Sequence, residues 1–120
     1  MRIKSRKILT LLLTLLLCLI VMNNQPASAA NSANNQTNAV KLFENNCAGC
    51  HLNGNNIIRR GKNLKINALK KYGMNSIEAI AEIVTNGKNN MSAYKDKLTP
   101  REIQDVATYV LQQAEHDWHF

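Results

Sequence analysis

Cysteine is scarce: the 120 residues hold three, and the first, Cys18, lies in an apolar leader. With that leader set aside only Cys47 and Cys50 remain, too few for a multi-disulfide scaffold. No stretch alternates apolar and polar residues convincingly with a period of two, and no internal repeat is present, so the domain should be all-α. The length leaves no room for a multidomain enzyme. Acidic residues are also few, 8 against 15 Lys and Arg, giving a formal charge of +7. Such an excess suggests an anionic partner, nucleic acid or a membrane. Arg2, Lys4, Arg6 and Lys7 carry four of those charges, however, leaving +3 for residues 8–120. Nucleic acid is therefore not favoured.

The basic start runs into fifteen uncharged residues, Ile8 to Met22, and then into Pro26-Ala27-Ser28-Ala29 with its Ala-x-Ala spacing. These are the n-region, apolar core and cleavage site of a secretory signal peptide, and the run is shorter than the ~20 residues a spanning helix needs. Residues 1–29 are expected to be removed; the alternative is an uncleaved N-terminal anchor. Residues 30–38 carry no charge and little apolar surface, and are expected to form a flexible lead-in. The folded domain should occupy 39–120. So short a chain builds a small core, which a bound prosthetic group or another internal staple would help.

Helical periodicity begins at Ala39, with Val40, Leu42, Phe43 and Cys47 on one face and Thr37 or Asn38 as the cap. An Asn- and Gly-rich loop from Leu52 to about Lys65 precedes a short helix, Asn67–Tyr72, ended by Gly73, which tolerates the positive φ of a C-terminal cap. Asn75 or Ser76 starts a third helix with Ile77, Ile80, Ala81 and Val84 buried and Gly87 beyond its end. The last helix opens on Thr99-Pro100-Arg101-Glu102, a reciprocal capping box with proline at the first position. Its apolar face is Ile103, Val106, Ala107, Val110, Leu111 and Ala114. Phe43 and Tyr109 should pack the first and last helices together, and Trp118 should pin the C-terminus.

The chemistry lies in Cys47-Ala48-Gly49-Cys50-His51, because C-x-x-C-H is the attachment sequence of a c-type haem. Positions i, i+3 and i+4 share a helix face, so two thiols can bond the porphyrin vinyl groups while the adjacent imidazole reaches the iron. His51 would be the proximal ligand, its other ring nitrogen held by a backbone carbonyl or similar acceptor. Zinc would normally require a fourth ligand, and thioredoxin-like chemistry a βαβ pattern that is absent; a plain disulfide is the third alternative. The histidine, together with export, favours haem.

For the sixth position the candidates are Met74, Met91, His116 and His119. Met91 is chosen because it lies forty residues after His51 in a flexible loop, Asn86 to Tyr94, from which a thioether can swing onto the opposite face. Met74, beside Gly73, is assigned to packing, and the two histidines to the surface. Thioether ligation raises the potential relative to bis-histidine ligation, and two filled axial positions point to electron carriage rather than catalysis.

Leu42-Phe43-x-x-Asn46-Cys47-Ala48-Gly49-Cys50-His51, Gly54-Asn55-Asn56-Ile57-Ile58, Leu69-Lys70-Lys71-Tyr72-Gly73, Asn86-Gly87-Lys88-Asn89-x-Met91 and Leu98-x-x-x-x-Ile103-x-Asp105-Val106-Ala107-x-Tyr109-Val110 together resemble cytochrome c6. The resemblance implies a class I cytochrome c fold, about four helices wrapped around one covalently bound haem. It also implies a soluble carrier of the thylakoid lumen that takes electrons from cytochrome f of the cytochrome b6f complex and passes them to photosystem I. Haem attachment would fall to Cys47 and Cys50, and axial ligation to His51 and Met91. Three positions depart from the family pattern: Ser92 replaces the proline after the ligand Met, Ile83 replaces a glutamine near the haem, and Lys97 replaces an arginine at the docking surface. The alternatives are a monohaem cytochrome serving a respiratory oxidase and, from another class, an exported metal-binding or thiol-redox domain using Cys47, Cys50 and His51. Arg59, Arg60, Lys62, Lys65, Lys70 and Lys71 form a basic stretch free of acid, either a solvated face or a docking patch.

Overall fold

The computed structural model describes residues 7–16 and 28–119. Cys18 and the Pro26-Ala27 half of the cleavage sequence lie outside the described residues. The chain separates into two compact units, residues 1–31 and 32–120. In the first, residues 7–16 are helical, and among the described residues no helix is long and apolar enough to cross a membrane.

Five α-helices follow: α1 Ser28–Asn46, α2 Ala48–His51, α3 Ile66–Lys71, α4 Ile77–Asn86 and α5 Pro100–Glu115, with 3-10 turns at Leu52–Gly54 and Arg60–Lys62. Among the described residues there is no strand, only an isolated bridge between Lys88 and Met91. The chain is all-α, as its periodicity predicts. The start of α1 differs from expectation. Thr37 and Asn38 lie inside the helix, not at its cap, and the stretch expected as a lead-in is helical from Ser28 onward. Apolar periodicity marks only the part of a helix that buries a face, and nothing between 30 and 38 is Gly or Pro to interrupt it.

The remaining termini follow their local chemistry. Ser76 caps α4, its hydroxyl accepting the Ala79 N–H at 3.2 Å. At α5 the Thr99 hydroxyl accepts the Glu102 N–H at 3.3 Å, and the Glu102 carboxylate accepts the Thr99 N–H at 2.8 Å. Helix α3 ends at Gly73, φ 67°, where the Gly73 N–H bonds the Lys70 carbonyl and the Met74 N–H bonds that of Leu69. This is a Schellman cap, and it fixes where Met74 leaves the helix.

The core is built mainly from the expected stripes: Ile80, Ala81 and Val84 of α4 against Ile103, Val106, Ala107, Val110 and Ala114 of α5. Phe43 of α1 meets Tyr109 of α5 with ring centroids 5.4 Å apart, and Trp118 joins them at 5.2 and 6.1 Å. Burying each of these rings contributes roughly 2 kcal/mol by area alone. Beyond α5, Trp118 donates its indole N–H to the Leu64 carbonyl at 3.1 Å, and the neighbouring Asp117 pairs with Lys65 at 3.1 Å. A side chain at Gly54 would collide with the indole. The C-terminus is thus pinned to the loop after α2, as Trp118 suggested.

Candidate cofactor site

The site begins where α1 breaks. The Cys47 N–H still bonds the Phe43 carbonyl at 2.8 Å, but Cys47 itself (φ −122°, ψ −36°) leaves helical geometry. Its carbonyl then accepts two N–H groups, from Cys50 at 3.1 Å and from His51 at 2.9 Å. Both thiols and the imidazole therefore sit on a single turn, and neither thiol is in a disulfide. Nδ1 of His51 lies 3.0 Å from the Asn55 carbonyl, the acceptor anticipated from sequence. That carbonyl requires Nδ1 to carry the proton, which leaves the Nε2 lone pair as the ring's free donor. Burial lowers the His51 pKa, with the Asn55 bond opposing it, and pushes the Cys47 thiol up to about 11. Burial thus favours the neutral ring, the form that ligates a metal.

Cys47, Cys50 and His51 line a cavity of about 370 Å³ whose other walls include Phe43, Leu69, Ile80, Val84, Val106 and Val110. Met91 reaches the same cavity from the α4–α5 loop. That loop is tied, in contrast to the freedom expected of it. Lys88 and Met91 exchange two backbone hydrogen bonds of 3.0 Å, with Asn89 at φ 54° in the turn between them. Gly87 (φ 70°) admits this closure: a Cβ there would come within 2.6 Å of the Met91 carbonyl oxygen. Tyr94 adds further ties, its N–H to the Val84 carbonyl at 2.9 Å and its hydroxyl to the Asn46 carbonyl at 2.8 Å.

Met74 also lines the cavity, a position that its assignment to packing did not anticipate. His116 and His119 do not. Ile83 and Ser92 are both on the wall, and Lys97 holds its ammonium 5.4 Å from the Tyr94 ring centre. The basic stretch divides. Arg59 and Lys62 border the cavity, Lys62 and Lys71 stand over the Tyr72 ring at 4.8 and 5.6 Å, and Lys65 is paired with Asp117. Next to Arg59 in the chain, the side chains of Ile57 and Ile58 are exposed, as is that of Leu52. Tyr94 is the site residue that sequence reasoning missed. Its role depends on a carbonyl 48 residues away, and no local pattern signals that.

Two free thiols one turn apart, a neutral imidazole with an open Nε2, thioethers on the same cavity and an apolar lining fit a covalently attached haem. The comparisons agree. A family model described as "Cytochrome C oxidase, cbb3-type, subunit III" matches residues 34–110. The chain is 59% identical to a "Cytochrome c6-like" protein of Nostoc sp. (strain PCC 7120 / SAG 25.82 / UTEX 2576), over 94% of this chain and 98% of that one. To the same organism's "Cytochrome c6" it is 46% identical over the same shares. Among solved structures, cytochrome c6C from Synechococcus sp. PCC 7002 is similar with a TM-score of 0.66 and 62% identity, covering 68% of this chain and 99% of that one. Helical cage and attachment turn define a class I c-type cytochrome, an electron carrier whose class is built on covalently bound haem. Within that class, the chain belongs to the cytochrome c6 family.

Proposed function

We propose that this protein carries single electrons from cytochrome f of the cytochrome b6f complex to photosystem I in the thylakoid lumen, of a plastid or a cyanobacterium, and is not an enzyme. One haem c would be bonded through Cys47 and Cys50, with His51 and Met91 supplying the ligands to its iron. When bound, it supplies an Fe(II)/Fe(III) couple that stores one electron. The observation that carries the reading is the convergence of all four side chains on one apolar cavity in a chain of this family. Residues 1–29 would act as the export signal and be cleaved.

The chain's own residues do the rest. The Asn55 carbonyl fixes the His51 ring, and apolar side chains such as Leu69, Ile80 and Val106 line the cavity. Exposed Ile57 and Ile58, followed in the chain by Arg59 and Arg60, offer an apolar docking spot with a basic margin. Mass spectrometry of the mature protein should find one haem's added mass and no free thiol; free thiols on an unmodified chain would overturn the reading. Reversing Arg59 and Arg60 to Glu should slow reduction of photosystem I particles at low salt and leave the high-salt rate nearly unchanged. Equal rates at both salts would retire the docking role.

A second reading, a c6-like carrier serving another acceptor such as a respiratory oxidase, is favoured by Ile83 on the cavity wall and by the higher identity to the c6-like relative than to cytochrome c6. A redox titration together with parallel kinetics on photosystem I and oxidase preparations separates the two. Faster turnover with the oxidase would replace the first reading.

A further inference from the structure

The Asn46 carbonyl is an end-of-helix group. In an uninterrupted helix it would accept the Cys50 N–H, but that N–H has turned to the Cys47 carbonyl at 3.1 Å. The group that takes its place is the Tyr94 hydroxyl, 2.8 Å away and 48 residues later. Tyr94 thus touches three elements at once. Its hydroxyl reaches the end of α1 immediately before Cys47, its N–H reaches Val84 in α4, and its own carbonyl accepts the Lys97 and Leu98 N–H groups that lead into α5. Between Tyr94 and α4 lies the short turn that carries Met91, closed on itself by the paired Lys88 bonds. Ser92, the residue after Met91, provides none of the φ restraint that a proline there would. The loop is therefore held to the attachment turn by a side-chain hydrogen bond.

We infer that Tyr94 is the positioning residue for the Met91 thioether, its hydroxyl bond to the Asn46 carbonyl latching the Met91 loop to the turn that bears Cys47, Cys50 and His51. The inference rests on the reading of Met91 as an axial ligand. Removing the hydroxyl alone, with Tyr94→Phe, keeps the ring and its packing but leaves a half-buried carbonyl without this partner. The Met91-bound arrangement then loses stability relative to an open loop.

The test uses the mature holoprotein in its ferric form, with imidazole as a competitor for the Met91 position. Tyr94→Phe should bind imidazole about three- to tenfold more tightly than the natural chain, the worth of one hydrogen bond. Tyr109→Phe, at a core ring that does not line the cavity, should leave the affinity unchanged, and Met91→Ala sets the upper limit. As a second measurement, amide hydrogen exchange at Lys88, Met91 and Tyr94 should quicken several-fold in Tyr94→Phe while that at Val106 in α5 stays unchanged. If Met91→Ala raises imidazole affinity but Tyr94→Phe leaves both affinity and exchange unaltered, the latch is overturned and the ligand assignment stands. If Met91→Ala itself changes nothing, the ligand assignment fails and the latch fails with it.

Discussion

The two sides of the cavity are built on different principles. The His51 side is largely local: Phe43 through Asn55 are consecutive in the chain, and the bonds from Cys47 to Phe43, from His51 to Cys47 and from His51 to Asn55 each span four residues. The Met91 side is assembled from a distance, its loop fastened to α4 by Val84 and to α1 by Asn46. A wall made of local bonds has its geometry specified by its own segment. One made of distant bonds exists only after the helices have packed, so its loss should be graded where loss of the first is complete.

The largest effect tests the local side. The double variant Cys47→Ala, Cys50→Ala should emerge without covalent haem, read by mass and by haem staining after denaturing electrophoresis; retained covalent colour would contradict the assignment. On the other side, Met91→Ala should keep the haem yet lose the near-infrared thioether-to-ferric band and lower the midpoint potential. Met74→Leu should preserve both signals. A reversed result would move the ligand from Met91 to Met74, since both line the cavity.

Glycine substitutions sharpen the contrast within the local wall. Gly54→Ala forces a methyl into the Trp118 indole and should destabilise the fold by about 2 kcal/mol, measured by thermal unfolding. Gly49→Ala, inside the attachment motif but with nothing within 4 Å of the added carbon, should be tolerated. An equal loss at both would show that the turn itself, not its contact with the C-terminus, sets the sensitivity.

The smallest effect concerns α5, which underlies both sides. Thr99→Ala removes the cap hydroxyl and should lower the melting temperature by roughly 5 °C. The Thr99 N–H and hydroxyl hold the Glu102 pKa below its usual value. A lowered folded pKa means that the stabilisation is present above the ordinary carboxylate range and is lost as pH falls through the folded value. Glu102→Gln should therefore flatten the acid side of the stability profile, and an unchanged profile would show that the cap carboxylate does not contribute.

Much of this was legible beforehand. The cap at Thr99, the choice of Asn75 or Ser76 for α4, the buried stripes of α4 and α5, and the apolar helix faces that carry Phe43 and Tyr109 all follow from spacing within a few residues. The extension of α1 back to Ser28 was not, because residues 30–38 carry no apolar periodicity to read. Met74 entered the cavity through a Schellman cap whose glycine was visible but whose exit direction was not. The basic stretch looked uniform along the chain; in space Lys65 pairs with Asp117, 52 residues away.

Sequence alone determined the attachment turn and the elements around it. Thiol, thiol and imidazole at i, i+3 and i+4, a broken helix and a nearby carbonyl acceptor need only short-range backbone geometry. Only the tertiary structure decided which thioethers face the cavity and what restrains them. Those outcomes depend on pairings such as Tyr94 with Asn46 and Trp118 with Leu64, which exist only once the intervening helices have packed.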